Sequence, residues 1–150
     1  MTVDQSDIDQ LLALLDRGRQ SWIEGALGFG RGFDVDQDDD MTIFGPFGGE
    51  GLRGTTELAG RQDRAASLFH GGTGRCEVVK TIVAGDVAVV IQIERNSARV
   101  LDVDEPQTWA LRTTQVFEIR QEGWVRLHRH ADPLIDVRAP ERTFALARGE

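Results

Sequence analysis

One cysteine, Cys76, stands in a chain of 150 residues, so no intrachain disulfide can form and no thiol cluster can hold a metal. A reducing compartment suits such a chain. Apolar runs are also short: none approaches the roughly 20 residues that a membrane-spanning helix needs. The opening MTVDQSDIDQ has neither the basic nor the apolar region of a secretory leader. The expectation is therefore a cytoplasmic protein with no membrane partner. Cations are outnumbered, with 17 Lys and Arg against 25 Asp and Glu and a net charge of −8, which argues against a nucleic-acid partner. Lysine is nearly absent: Lys80 is the only one, and the other cations are arginines, the forked side chain suited to carboxylates. No internal repeat or low-complexity segment divides the chain. Its length suits one domain over 1–150, burying roughly 70% of the surface the unfolded chain exposes.

What is present divides into helical and strand patterns. Ile8, Leu11, Leu12, Leu15, Trp22, Ile23 and Ala26 recur at steps of three, four and seven, which predicts an amphipathic helix capped by Asp4 or Ser6. Glycines between Gly25 and Gly32, then Asp34, Asp36, Asp38, Asp39 and Asp40, predict a break and a solvated loop before a short strand, Met41–Phe44. A second helix is expected from a cap at Thr55, with Leu58, Ala65, Ala66, Leu68 and Phe69 on its apolar face, ending near His70. From Cys76 the period becomes two: CEVVKTIVA, a turn at Gly85-Asp86 and VAVVIQIERN read as a hairpin. QTWALRTTQVFEIR and WVRLHRHADPLI, joined at Gln121-Glu122-Gly123, read as another. Helices first and an antiparallel meander last define an α+β class. The tail APERTFALARGE, 139–150, reads as an edge strand or a frayed end.

The segment LRTTQVFEIRQEGWVRLHRHADPL resembles the C-terminal hairpin of SnoaL-like proteins in the nuclear transport factor 2-like, ketosteroid isomerase-like superfamily. Arg112, Thr114, Phe117, Trp124, His128 and His130 fall on that group's pattern, and FGPFGG after DMTIF, with Trp22 in the first helix, is similar to its polyketide cyclase-like branch. The resemblance implies a cystatin-like fold: a cone-shaped, strongly bent antiparallel sheet wrapped on N-terminal helices. It also implies a pocket between sheet and helices and, usually, a homodimer through the sheet's outer face. It does not choose a reaction, because the superfamily includes isomerases, cyclases, lyases and inert association domains. One absence narrows the field. With no tyrosine anywhere, the tyrosine-based oxyanion device of ketosteroid isomerases cannot operate here.

Strict alternation puts His128, His130 and Asp132 on one face together with Trp124 and Arg126. Two histidines and an aspartate there could hold a divalent metal or form an acid/base group. The remaining histidine, His70, lies in a glycine-flanked loop, and the relatives' paired histidines are usually unmetallated, so neither metal nor cofactor is expected. Asp132 stands where many relatives have Ser or Thr, supplying an acid at the pocket mouth or a carboxylate that pins a neighbouring Arg or His. Arg112 shares a face with Thr114 and is the candidate clamp for an anionic group, with Arg95 as a second cation; pairing with Glu94 or Glu118 is the plainer alternative. Residues 49–54 satisfy G-x-G-x-x-G but precede no βαβ unit, so they read as a turn on the pocket rim rather than a nucleotide loop.

The functional expectation is a small apolar ligand, carbonyl-bearing or anionic, walled by Trp22, Phe44, Phe47 and Trp109. Acid/base chemistry of isomerase, cyclase or lyase type would fall to His130, Asp132 and His128. The alternative is a non-catalytic ligand-binding or dimerisation module.

Overall fold

Helix α1 (Gln5–Ile23) begins where its sequence can satisfy the orphan amides of a helix start. The Asp4 carboxylate accepts from the Asp7 amide at 2.9 Å and the Asp7 carboxylate accepts from the Asp4 amide at 3.0 Å, a reciprocal capping box. Its buried stripe is Ile8, Leu11, Leu15 and Ile23, interrupted by Gly18 and Arg19. The computed structural model describes residues 2–25 and 35–150; the expected Ala26 contact, most of the glycine run and Asp34 lie outside them.

Strands β1 (Asp36–Phe44), β2 (Leu52–Arg53), β3 (Phe69–Ala84), β4 (Val87–Val100), β5 (Gln107–Arg120) and β6 (Gly123–Pro133) form one curved, unclosed sheet in the order β2-β1-β6-β5-β4-β3. Both expected hairpins are present, turning at Gly85-Asp86 and at Gln121-Glu122. The β1–β6 pairing is parallel and the others antiparallel. Helix α1 packs against β3 and β4, and α2 (Thr55–Ala66) against β1 and β2.

Three boundaries differ from the expectation. The acidic segment expected as a loop is strand from Asp36 onward, where arginines of β5 and β2 take its charge: Asp38 pairs with Arg120 at 2.9 Å, and Asp40 receives both Nε and Nη2 of Arg53. Helix α2 ends at Ala66, since Phe69 is buried as the first residue of β3, opposite Val100; its cap is Gly54, not Thr55. The tail forms a helix, α3 (Pro140–Ala147), with proline in its first turn and no buried residue.

Two apolar clusters hold the concave face. One joins Ile8, Leu11 and Leu15 of α1 to Val90, Phe117 and Trp124, and the Trp124 indole N–H donates to the Asp7 carbonyl at 3.0 Å. The other is Ile23, Phe69 and Ala98, with Trp22 and Trp109 packed against them. On β4 the inward residues between these clusters are Gln92, Glu94 and Asn96, all buried.

Candidate functional site

Glu94 and Asn96 belong to the floor of a cavity of about 410 Å³ enclosed by α1, α2, residues 45–51 and the concave face. Leu15, Trp22, Ile23, Ile43, Phe47 and Trp109 supply apolar wall. The aromatic side is a chain of contacts. Phe47 stacks on Trp109 at 5.8 Å and 24°, Trp109 meets Phe69 edge-on at 5.4 Å, and Phe69 meets Trp22 at 5.9 Å.

The floor is charged and buried. Arg129 donates through both terminal nitrogens to the two Glu94 oxygens, each at 2.9 Å. Burial is the largest influence on Glu94 and pushes its pKa up, but Arg129, then Arg126 and Arg19, outweigh it and hold the carboxyl below its ordinary range. Glu94 is therefore ionised at neutral pH. From α1, Arg19 donates to the Asn96 side-chain oxygen at 2.8 Å and to Asp16 at 3.0 Å, while the Asn96 nitrogen donates to the Trp109 carbonyl at 3.0 Å. Gly74 makes that reach possible. A Cβ there would lie 2.3 Å from the Asn96 oxygen, 2.5 Å from the Arg95 carbonyl and 2.8 Å from the Arg19 guanidinium. Arg126 donates to the Gln115 oxygen at 2.9 Å and sits over the Phe117 ring, 5.5 Å from its centroid. Close to Glu94 and Asp16, the partly buried Cys76 thiol is pushed up to about 12, chiefly by burial, and is no nucleophile at neutral pH.

Of the residues expected to wall a ligand, Trp22, Phe47 and Trp109 line the cavity. Arg95, Arg112, His128, His130, Asp132 and Phe44 do not; they project from the convex face. A bulge decides this. Val116 pairs with His128 and Phe117 with Arg126, so Leu127 is an extra residue in β6. Before the bulge Trp124 and Arg126 point inward; beyond it Arg129 and Ala131 do, and the histidines and Asp132 turn outward. On that outer face Arg112 forms a two-pronged pair with Asp132 at 2.8 Å, which holds the Asp132 carboxyl below its usual range. Asp132 thus pins an arginine, and Arg112 pairs with neither Glu94 nor Glu118. Arg95 donates to Glu77 at 2.9 Å. Phe44 lies edge-on to His128 and His130 at 5.4 and 5.5 Å, and the Thr42 hydroxyl is 2.7 Å from His128 Nδ1. Burial, then the neighbouring His130, lowers the His128 pKa. Among the described residues no group of three His, Cys, Asp or Glu side chains is placed to hold a metal.

Sequence reasoning did not select Arg19, Asn96, Gln115 or Arg129, and treated Glu94 only as a partner for Arg112. The available signal was Gln92, Glu94 and Asn96 at period two inside a strand otherwise rich in Val and Ile.

A helix-backed curved sheet with a cavity on its concave face is the nuclear transport factor 2-like, cystatin-like architecture, and solved structures agree. A nuclear transport factor 2-like superfamily protein from Salmonella enterica aligns with TM-score 0.75 and 18% identity, over 91% of this chain and 96% of that one. A CaMKII hub from S. rosetta aligns with TM-score 0.64 and 16% identity, over 89% of this chain and 100% of that one. A Streptomyces avermitilis protein named for a dehydratase of the same superfamily has TM-score 0.54 and 21% identity, over 63% of this chain and 66% of that one, just under two thirds of its length. The chain belongs to the SnoaL-like family, whose domain matches residues 31–136. No curated protein matches it. At such identities the structural neighbours speak for fold alone, and their functions diverge. No helix among the described residues is long and apolar enough to cross a membrane.

Proposed function

We propose that this chain binds a small, largely apolar molecule bearing a carbonyl or anionic oxygen in the cavity between the sheet and the helices. The observation that carries this reading is a buried charged floor under aromatic walls: Glu94, Asn96, Arg126 and Arg129 beneath Trp22, Phe47 and Trp109. Buried polar groups set against apolar walls are how small-molecule pockets orient a ligand.

Among the described residues Glu94 is the buried carboxylate of the lining, and proton transfer would fall to it. It would take a proton from the carbon beside the ligand's carbonyl, the C–H electron pair moving into the carbonyl to form an enolate, and return the proton either to that carbon, giving exchange, or, where a double bond is conjugated to the enolate, to the far carbon of that double bond, giving an isomer. A second reading, binding without turnover, is favoured by the same geometry: both Glu94 oxygens are already occupied by Arg129, and a carboxylate so held is a weak base. 2-Tetralone, a flat ketone with acidic α-hydrogens, separates the two. Under the catalytic reading the protein accelerates exchange of those hydrogens for deuterium and E94Q does not, although E94Q still quenches tryptophan fluorescence on binding. Binding with no acceleration supports the module, and no binding of 2-tetralone or of the naphthalene probes below overturns the pocket reading itself.

The homodimer implied by the resemblance is proposed for the convex face, where half-buried Val89, Ile91 and Ile93 adjoin exposed Ile82. Sedimentation equilibrium tests it; a monomer at micromolar concentration would remove it.

A further inference from the structure

We propose that Gln115 is the residue that binds the ligand's acceptor oxygen, with Arg126 as its positioning residue. The inference rests on the reading that the cavity holds a small molecule, and names the chemistry of the oxygen it takes: one that accepts hydrogen bonds, as a carboxylate or ketone does. Gln115 lies on β5 with 1% of its surface exposed, yet it lines the cavity. Its amide has a defined orientation, because a guanidinium can only donate. Arg126 Nε gives its hydrogen to the Gln115 oxygen at 2.9 Å, so the –NH₂ end is turned away from Arg126. Arg126 is itself 3% exposed and braced over Phe117.

The Gln115 nitrogen donates to no group among the described residues. It also differs from the nearby amide of Gln92, which is enclosed with both ends unpartnered and does not line the cavity. Unlike the Gln92 amide, the Gln115 nitrogen is not enclosed: it belongs to a buried side chain on the cavity wall, where a donor with no protein acceptor calls for a match. Here the match comes from the cavity side. Arg129, the cross-strand partner of Gln115, is already paired with Glu94, so the preference for an oxygen comes from the Gln115 N–H donor itself, which an ammonium group cannot accept from.

The test uses three probes of similar shape, 2-naphthoate, 2-acetylnaphthalene and 2-ethylnaphthalene, titrated by tryptophan fluorescence and by the ¹⁵N side-chain amide signal of Gln115. The two oxygen-bearing probes should bind about tenfold more tightly than 2-ethylnaphthalene, as one well-made hydrogen bond allows, and should shift the Gln115 amide signal. In Q115M that preference should fall to near unity while 2-ethylnaphthalene binds as before. In Q115E, which presents no donor when ionised, 2-naphthoate should weaken most. R126K, which still donates to the amide oxygen, should retain more of the preference than R126M. A carboxylate source and a ketone source are told apart by which probe wins in the wild type. The proposal is overturned if all three probes bind wild type equally, if Q115M keeps the preference, or if the Gln115 amide signal does not move. If no probe and no tetralone binds, the pocket reading fails and this inference fails with it. The amide readout needs no variant, so misfolding of Q115M leaves a decisive measurement.

Discussion

Strand β4 shows two chemistries on one backbone, and they are reversed from the usual arrangement. Outward it carries Val87, Val89, Ile91 and Ile93; inward, between Val90 and Ala98, it carries Gln92, Glu94 and Asn96. The same contrast separates two arginine–carboxylate pairs. Arg129–Glu94 on the concave face is largely buried, with side-chain exposures of 20% and 10%, whereas Arg112–Asp132 on the convex face stands at 60% and 40%. Both are two-pronged with bonds of 2.8–2.9 Å, so geometry does not distinguish them; solvent does. Burying charge beside a cavity is expensive for folding, and such a cost is characteristically met at a binding site.

Removing one partner from each pair should separate the two faces by their effect on stability. E94Q removes the buried carboxylate that Arg129 grips with both terminal nitrogens and should cost about 3–5 kcal/mol in urea denaturation. R112A, in solvent, should cost at most about 1 kcal/mol. Equal losses would mean that the two faces do not differ electrostatically. Next in size, G74A should cost about 1–3 kcal/mol, because its Cβ meets a backbone carbonyl as well as the Arg19–Asn96 bond and the strand must shift. Arg19 should then lose its protection from solvent in hydrogen-exchange measurements of its guanidinium. Smaller still and of opposite sign, Q92M should stabilise the protein by about 1–2 kcal/mol, since it removes two enclosed polar atoms that have no partner. A loss of stability instead would show that Gln92 is satisfied by a bound water.

The least dramatic test is the acid limb. Glu94 holds its charge more tightly in the folded chain than its ordinary value of 4.5 allows, so below that value the unfolded chain binds more protons and stability falls with pH, until the folded carboxyl is protonated too. E94Q should flatten that slope. D132N should change it less, because the Asp132 carboxyl is largely in water.

Much of the fold was legible in the residues. The three- and four-residue spacing from Ile8 to Ile23 produced α1, Asp4 was one of its two expected caps, and both hairpins turn where glycine permits. The aromatic wall was legible as well, since Trp22, Phe47 and Trp109 line the cavity. The floor was not. Reading β4 by hydropathy sends Val89, Ile91 and Ile93 to the core, and reading β6 by strict alternation groups Arg126 with the histidines. Hydropathy ranks side chains by their preference for water, and a cavity that needs polar groups inverts the ranking locally.

By itself, then, the sequence determined the local elements and their order, because caps, periodicity and turn residues act within a few positions of one another. It also determined the family, through a pattern spread along residues 31–136. Only the tertiary structure decided which face of the sheet is concave and which charges meet there. That choice depends on Leu127, one residue more in β6 than β5 can match, and on Gly74, whose missing side chain admits Arg19 from a helix more than fifty residues earlier in the chain. A bulge carries no reliable mark in composition, and a clearance exists only once two distant segments are packed together.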